Sequence, residues 1–141
     1  MISVRALIGL GYGLTPSGDD FLVGYMAGLW CTAGVNPFRT RFLTALGSEL
    51  SEVSRNTNAI SCAYLRSASK GNVSEPIAKL AHQLTQPNDM NSVRAATRAA
   101  LQIGHTSGSD GVLGMLLGCL AWQDLPPHLI FSDLLRLSVL C

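Results

Sequence analysis

Two glycine-rich phrases carry the side chains best suited to chemistry. One reads GLGYGLTPSGDDFLVG over residues 9–24, and the other reads IGHTSGSDGVLG over residues 103–114. From Ser17 and from Ser107 onward they share one pattern, Ser-Gly-x-Asp followed by two glycines at four-residue spacing, ninety residues apart and without a gap. Each phrase therefore predicts a helix start that carries hydroxyl groups and carboxylates.

Helix capping and packing could explain this shared pattern without any ligand. A serine followed three residues later by an acid resembles a capping box, and an acid in the first turn suits the helix dipole. The Gly-x-x-x-Gly spacing then makes a smooth face that another helix can approach closely. The helices that begin at Ser17 and Ser107 would in that case pack against each other.

The approach to the first helix nevertheless holds more glycine and more acid than a cap needs. Gly9, Gly11 and Gly13 precede the helix, and spaced glycines let backbone amides converge on an anion. Asp19 and Asp20 are adjacent, although a cap uses only one carboxylate. This start is therefore a candidate ligand site.

The second phrase adds an imidazole to the hydroxyl groups. His105 directly precedes Thr106 and Ser107 at the predicted helix start. The other two histidines, His82 and His128, have no such companions, so we expect them at the surface or at its boundary.

A third polar segment, residues 55–61, opens another predicted helix. Asn56 or Thr57 is expected to cap it. Asn58 and Ser61 are three positions apart and share a helix face, so both could point into a common polar pocket.

The mixture of amides and carboxylates leaves two kinds of ligand open. Magnesium bound by Asp19 and Asp20 could bridge to phosphate oxygens. Otherwise the aspartates bind an amide or ammonium group, while backbone amides hold a carboxylate or phosphate. A dinucleotide fingerprint does not fit because no clear strand leads in, and a Walker loop would need a lysine after the glycines.

Composition limits the class of partner. Hydrophobic residues make up 48% of the 141, and charged residues 13%, about half the usual share. Such a chain is expected to contact other subunits or itself. The net charge of +1 gives no basis for binding nucleic acid or an anionic membrane. The apolar run over residues 21–35 is shorter than the ~20 residues that a membrane span needs.

The cysteines predict buried thiols in a reducing, cytoplasmic protein. None of the four is closely spaced with another, whereas a zinc site normally needs close ligand pairs. The N-terminus has no clear secretory signal. The four are Cys31, Cys62, Cys119 and Cys141.

Apolar spacing and punctuation by glycine, proline and asparagine predict one all-α domain over residues 1–141, with six to seven helices. A short strand within residues 1–10 is an alternative for the N-terminus. The predicted helices cover about 17–33, a segment after Pro37, 57–69, a short segment after Ser74, 91–103, 107–122 and 129–140.

Taken together, the two phrases and the Thr-Asn-x-Ile-Ser segment between them resemble a bacterial family that includes the AllH-type subunit of oxamate carbamoyltransferase. The resemblance runs from about Gly9 to Gly118. It has two departures: family members commonly show proline where Tyr12 stands, and they are roughly twice this length, so the chain resembles their C-terminal part.

The resemblance implies transfer of a carbamoyl group from oxalurate to phosphate, which gives oxamate and carbamoyl phosphate, in an enzyme with several subunits. It implies a small anionic metabolite as ligand, with other enzyme subunits or a homo-oligomer as partners. No cofactor is certain, and Mg²⁺ is the candidate. The alternatives are a non-catalytic assembly module and a metal-dependent hydrolase.

The candidate roles follow from this reaction. The predicted catalytic residues are His105, Asp20 and Asp110. His105 would donate or accept a proton, and Asp19, Asp20 or Asp110 would hold a metal or the substrate amide. The predicted substrate-binding residues are Gly11, Gly13, Thr15, Ser17, Gly18, Asn58, Ser61, Thr106, Ser107 and Gly108.

Overall fold

Helices make up the regular structure of the described chain. The computed structural model describes residues 4–86 and 89–123. In chain order its helices are α1 (Val4–Leu7), α2 (Ser17–Thr32), α3 (Pro37–Val53), α4 (Ala59–Ala68), α5 (Glu75–Thr85), α6 (Met90–Leu101) and α7 (Ser107–Leu120), with a 3-10 turn over Ser54–Asn56.

The all-α prediction is confirmed over these residues, since they contain no strand. The strand considered within residues 1–10 is wrong where the chain is described, because residues 4–7 form a helical turn. The helix predicted over 129–140 lies outside the described residues, as do His128 and Cys141.

Helices α2 and α7 form the centre of the fold. Their glycines pack backbone against backbone: a Cβ on Gly24 would overlap the carbonyl of Gly111, and a Cβ on Gly114 would overlap that of Phe21. The next pair along the seam is Gly28 and Gly118. The predicted packing of these two helices is therefore confirmed. A side chain in place of Gly24, Gly28, Gly114 or Gly118 would drive the helices apart.

The other helices cover this pair in two layers. The first layer packs α2 against α3 and α4, with Met26, Leu43 and Leu65 almost completely buried. The second packs α2 and α7 against α5 and α6 through Leu80, Ala100 and Met115. Burying an aliphatic side chain of this size stabilises the fold by about 1.5–3 kcal/mol, so the two layers hold the central pair in place.

Asparagine starts two of the outer helices. Asn36 accepts hydrogen bonds from the backbone of Phe38 and Arg39 at the start of α3, and Asn58 accepts them from Ile60 and Ser61 at the start of α4. The prediction that Asn56 or Thr57 caps α4 is therefore wrong. The side-chain oxygen of Asn58 is one residue closer than that of Thr57 to the amides that need an acceptor.

No described helix is long and apolar enough to cross a membrane.

Candidate functional site

The starts of α2 and α7 meet through their hydroxyl groups. Thr15 Oγ1 donates to Asp20 Oδ2 at 2.9 Å and lies 2.9 Å from Ser107 Oγ. Since threonine has one hydroxyl proton, the Ser107 hydroxyl donates to Thr15 when Thr15 donates to Asp20. The two phrases are thus joined by a chain of hydrogen bonds that ends on a carboxylate.

Neither serine caps its helix. Ser17 and Ser107 are the first helical residues, and no side-chain cap bond forms at either start. The capping interpretation of these serines is therefore wrong. The backbone amide that follows each serine finds its acceptor in the preceding loop instead. Gly18 N donates to Leu10 O at 2.8 Å, and Gly108 N donates to Ile103 O at 2.8 Å.

Glycine is required for these loop contacts. A Cβ on Gly18 would overlap the carbonyl oxygen of Leu7, and one on Gly108 would overlap that of Ala100. Both amides are consumed within the chain, so they are not available to a ligand. Gly18 and Gly108 therefore shape the two helix starts, and a direct contact of either with substrate stays a prediction.

One amide of the first start does remain open. Among the described residues, Ser17 N–H has no acceptor in the hydrogen bonds of this start. Gly11 lies over it with φ of +111°, and a Cβ at Gly11 would come within 2.9 Å of Ser17 N. Glycine at this position keeps an approach to the amide open, as an anion-binding loop requires.

Two carboxylates, those of Asp20 and Asp110, lie near these hydroxyl groups, and they differ in their partners. Burial raises the pKa of Asp20, hydrogen bonds from Ser107 and Thr15 oppose this, and the charges of Asp110 and Asp19 raise it further. Asp110 Oδ2 is buried and accepts no hydrogen bond within the described chain. A buried acceptor without a donor costs about 1–3 kcal/mol. Asp110 Oδ2 is thus an unsatisfied acceptor near Asp20, and its binding of a ligand stays a prediction.

Asp19 serves a different purpose from its neighbour. It is 1% exposed, and it accepts from Gly9 N at 2.8 Å through Oδ1 and from Thr57 Oγ1 at 2.5 Å through Oδ2. It therefore ties the loop from Gly9 to Pro16, called the glycine loop below, to the chain before α4. Of the two adjacent aspartates, Asp19 anchors the loop, and Asp20 contacts Thr15 at the meeting point of the two helix starts.

Metal binding at these aspartates stays a prediction. In residues 4–86 and 89–123, no three His, Cys, Asp or Glu side chains are placed together to hold a metal ion. Asp19 is less suited than Asp20, because both of its oxygens already accept hydrogen bonds. Asp20 could still join a magnesium ion that takes its other ligands from a phosphate and water.

The middle segment supports the loop from its other end. Asn58, besides capping α4, donates through Nδ2 to Leu14 O at 2.9 Å. Ser61 is 1% exposed, and its Oγ has no hydrogen-bond partner among the described residues. Thus Asn58 positions the residue before Thr15, while a shared pocket for Asn58 and Ser61 stays a prediction.

The remaining predicted residues lie at the rim. Gly13, His105 and Thr106 are exposed, and Thr106 precedes α7 without a side-chain cap bond. The structure therefore brings Thr15, Asp20, Ser107 and Asp110 into one cluster, whereas no hydrogen bond found among the described residues joins His105 to it.

Two cavities lie away from this cluster. One, of about 290 Å³, is apolar and lies between α1, α2 and α3 beside Phe21, Tyr25 and Leu46. The other, of about 350 Å³, lies beside α5 and is lined by residues such as Trp30, Cys31 and His82. The four residues of the cluster are themselves half-buried.

Comparison with known proteins gives this arrangement a context. A family model described as oxamate carbamoyltransferase subunit AllH matches residues 7–119. The chain belongs to the AllH family. The matched span contains α2 and α7 with both of their starts, so the cluster lies within the part of the chain that resembles the family. No solved structure matches the chain.

For this AllH-family chain, sequence reasoning missed two parts of the site. The first is the anchoring role of Asp19, whose partner Thr57 lies 38 positions away. The second is the bond from Thr15 to Asp20. The residue types were the only signal for either, since both bonds depend on the path of the loop between Gly9 and Pro16.

Proposed function

We propose that this chain is a subunit of an oxamate carbamoyltransferase and that the cluster at the starts of α2 and α7 binds a small, amide-bearing anion such as oxalurate or oxamate. The observation that carries the proposal is the contact between Thr15 Oγ1 and Ser107 Oγ. It joins the two phrases beside Asp20 and Asp110, and the family assignment supplies the reaction.

The donors and acceptors of the cluster match such a ligand. Asp110 Oδ2 needs a donor, which the NH₂ group of a carbamoyl or oxamate amide provides. The anionic end of the ligand would be repelled by the carboxylates, so it faces the open amide of Ser17 instead. The ligand therefore lies with its amide toward the aspartates and its carboxylate toward the glycine loop.

The reaction requires a proton to move as the carbamoyl group is transferred. A phosphate oxygen bonds to the carbamoyl carbon of oxalurate, the bond from that carbon to the oxamate nitrogen breaks, and the nitrogen takes up a proton. Asp20 has a raised pKa and is joined to Ser107 through Thr15. When Asp20 is protonated these hydrogen bonds run in the reverse direction: its carboxyl donates to Thr15, Thr15 donates to Ser107, and Ser107 delivers a proton to the leaving nitrogen. The exposed imidazole of His105 is the second candidate donor.

A binding experiment tests the proposal. The purified chain is titrated with oxamate by calorimetry, with and without magnesium and phosphate. Asp20→Asn and Ser107→Ala are expected to weaken binding about 10- to 100-fold, as expected for lost hydrogen bonds to charged groups. Asp89→Asn is the matched control, because Asp89 caps α6 in an exposed position and asparagine can replace it as a cap.

Wild-type binding that neither cluster variant weakens would show that the site lies elsewhere. A second candidate function, a non-catalytic assembly subunit, would be favoured if oxamate and phosphate bind to none of the proteins. The exposed apolar side chains of the glycine loop favour such an assembly role, since Leu10 is 57% exposed, Tyr12 100% and Leu14 79%. If neither oxamate nor phosphate binds, the reaction would lie on a partner subunit.

A further inference from the structure

Two cysteines that are far apart in sequence meet at the far end of the central helix pair. Cys31 Sγ lies 3.7 Å from Cys119 Sγ, and both residues are half-buried. Cys31 belongs to the last turn of α2 and Cys119 to the last turn of α7. Since the starts of these helices also meet, α2 and α7 run parallel, and the thiols face each other across their C-terminal ends.

The glycine seam is what brings the sulfur atoms together. A Cβ on Gly28 would lie 2.7 Å from Cys119 N, so the backbone of α7 passes directly over the turn of α2 that precedes Cys31. A disulfide has a sulfur separation of about 2.05 Å. The two sulfur atoms, 3.7 Å apart, would therefore have to approach each other by rotation of the side chains.

The surroundings leave both thiols partly accessible, since each residue is half-buried. Cys31 lines the open cavity of about 350 Å³, together with His82 and Thr85. The third described cysteine, Cys62, is placed differently, because its sulfur lies 3.4 Å from Ser54 Oγ. Cys62 therefore provides a control thiol of similar burial within the same chain.

We propose that Cys31 and Cys119 form a thiol–disulfide exchange site that reacts with small-molecule disulfides and closes into an intramolecular disulfide. One cysteine of the pair, as its thiolate, attacks one sulfur of the reagent, forming a mixed disulfide and releasing one thiolate. The other cysteine then loses its proton to solvent, and its sulfur attacks the first cysteine's sulfur and releases the second thiolate, which takes up a proton. The two cysteines are oxidised by two electrons, and the reagent disulfide is reduced to two thiols.

The hydrogen bond between the thiols couples their ionisation. It lowers the pKa of the Cys119 thiol, against the opposing effect of burial, and it is the largest cause that raises the pKa of the Cys31 thiol. The bond thus favours a thiolate on one sulfur and a thiol on the other, and the thiolate is the nucleophile in such exchange.

The test treats the purified full chain with oxidised glutathione and maps its peptides by mass spectrometry without reduction. The expected product is a peptide pair joined through Cys31 and Cys119, with the loss of two hydrogen atoms, reversed by dithiothreitol. Because the bond closes a long loop in the unfolded chain, we expect the melting temperature to rise by on the order of 10 °C. Cys62→Ser and Cys141→Ser should behave as wild type.

Cys31→Ser and Cys119→Ser should instead form no such peptide pair and show no rise in melting temperature. The proposal is overturned if the wild type forms no Cys31–Cys119 peptide pair, if Cys62 or Cys141 cross-links in its place, or if the bond lowers the melting temperature. The wild-type peptide map decides the matter even if a cysteine variant fails to fold.

Discussion

The approaches to α2 and to α7 are two versions of one local structure, and they differ chiefly in what surrounds them. In both, a loop carbonyl accepts from the second helical residue, Gly18 or Gly108, and both of these glycines pack on the preceding helix. Eight positions separate Leu10 from Gly18, but only five separate Ile103 from Gly108. The first approach therefore has three additional residues.

The contacts of the seam repeat in the same way. Gly24 packs on the carbonyl of Gly111, and Gly114 packs on the carbonyl of Phe21. Gly114 is the match of Gly24 ninety positions later, and Phe21 is the match of Gly111, so the second contact is the first with the two helices interchanged. The helix pair is therefore related by an approximate two-fold axis. The chain uses the duplicated phrase to build a symmetric seam.

The surroundings break this symmetry. Asp19 is buried and anchors the glycine loop, whereas Ser109 at the matching position of α7 is exposed. Further along, Met26 is 1% exposed and its match Leu116 is 37% exposed. The lesson is that one pattern supplies packing in both copies but supplies an anchored loop in only one.

The largest expected effect comes from breaking the seam. Gly24→Ala and Gly114→Ala should each lower the free energy of unfolding by about 3 kcal/mol or more, because the new methyl group meets backbone that cannot rotate away. Urea denaturation measures the loss. If the two copies are equivalent in packing, the two losses will be similar.

Gly111→Ala is the matched control in α7. A Cβ there meets only ordinary contacts at 3.6 Å and 3.7 Å, and alanine favours a helix over glycine by about 1 kcal/mol. We expect this variant to be as stable as wild type or more so. A Gly24→Ala protein with the stability of Gly111→Ala would show that the helices do not approach as closely as described.

The next effect separates the two copies. Asp19→Ala should cost about 2 kcal/mol of unfolding free energy, since it leaves the Gly9 amide and the Thr57 hydroxyl without their acceptor. Ser109→Ala, at the matching exposed position, should change stability by less than about 0.5 kcal/mol. Equal losses in the two variants, measured by urea denaturation, would mean that Asp19 has no anchoring role.

Local pattern predicted the helices and the seam, because both depend on short-range spacing. The predicted start of α2 at Ser17 is the observed one, and the observed end at Thr32 is one residue from the prediction. The capping interpretation failed because Leu10 and Ile103 supply carbonyls whose position depends on the path of the loop. The bond from Thr57 to Asp19 and the pairing of Cys31 with Cys119 span 38 and 88 positions, and residue type alone gives no partner at such separations.

The smallest expected effect concerns the carboxylates of the cluster. The pKa of Asp20 is raised from the ordinary 3.8, first by burial, so the folded chain binds this proton more tightly than the unfolded chain. Between the raised pKa and 3.8, acidification should therefore increase the stability of the wild type relative to Asp20→Asn. Because Asp20 is only half-buried, solvent screening should keep the gain below about 1 kcal/mol.

Asp89 provides the opposite sign in the same experiment. Hydrogen bonds from Ser92 and Asn91 lower its pKa below 3.8, so its contribution is present at neutral pH and is lost on acidification below that value. Carboxyl chemical shifts in NMR spectra measure both groups directly.

Asp110→Asn should bring the pKa of Asp20 closer to 3.8, because it removes the charge of Asp110, which contributes to the shift. An Asp20 pKa unchanged by this substitution would mean that the charges at the two helix starts do not interact, and the cluster would then lose its electrostatic basis.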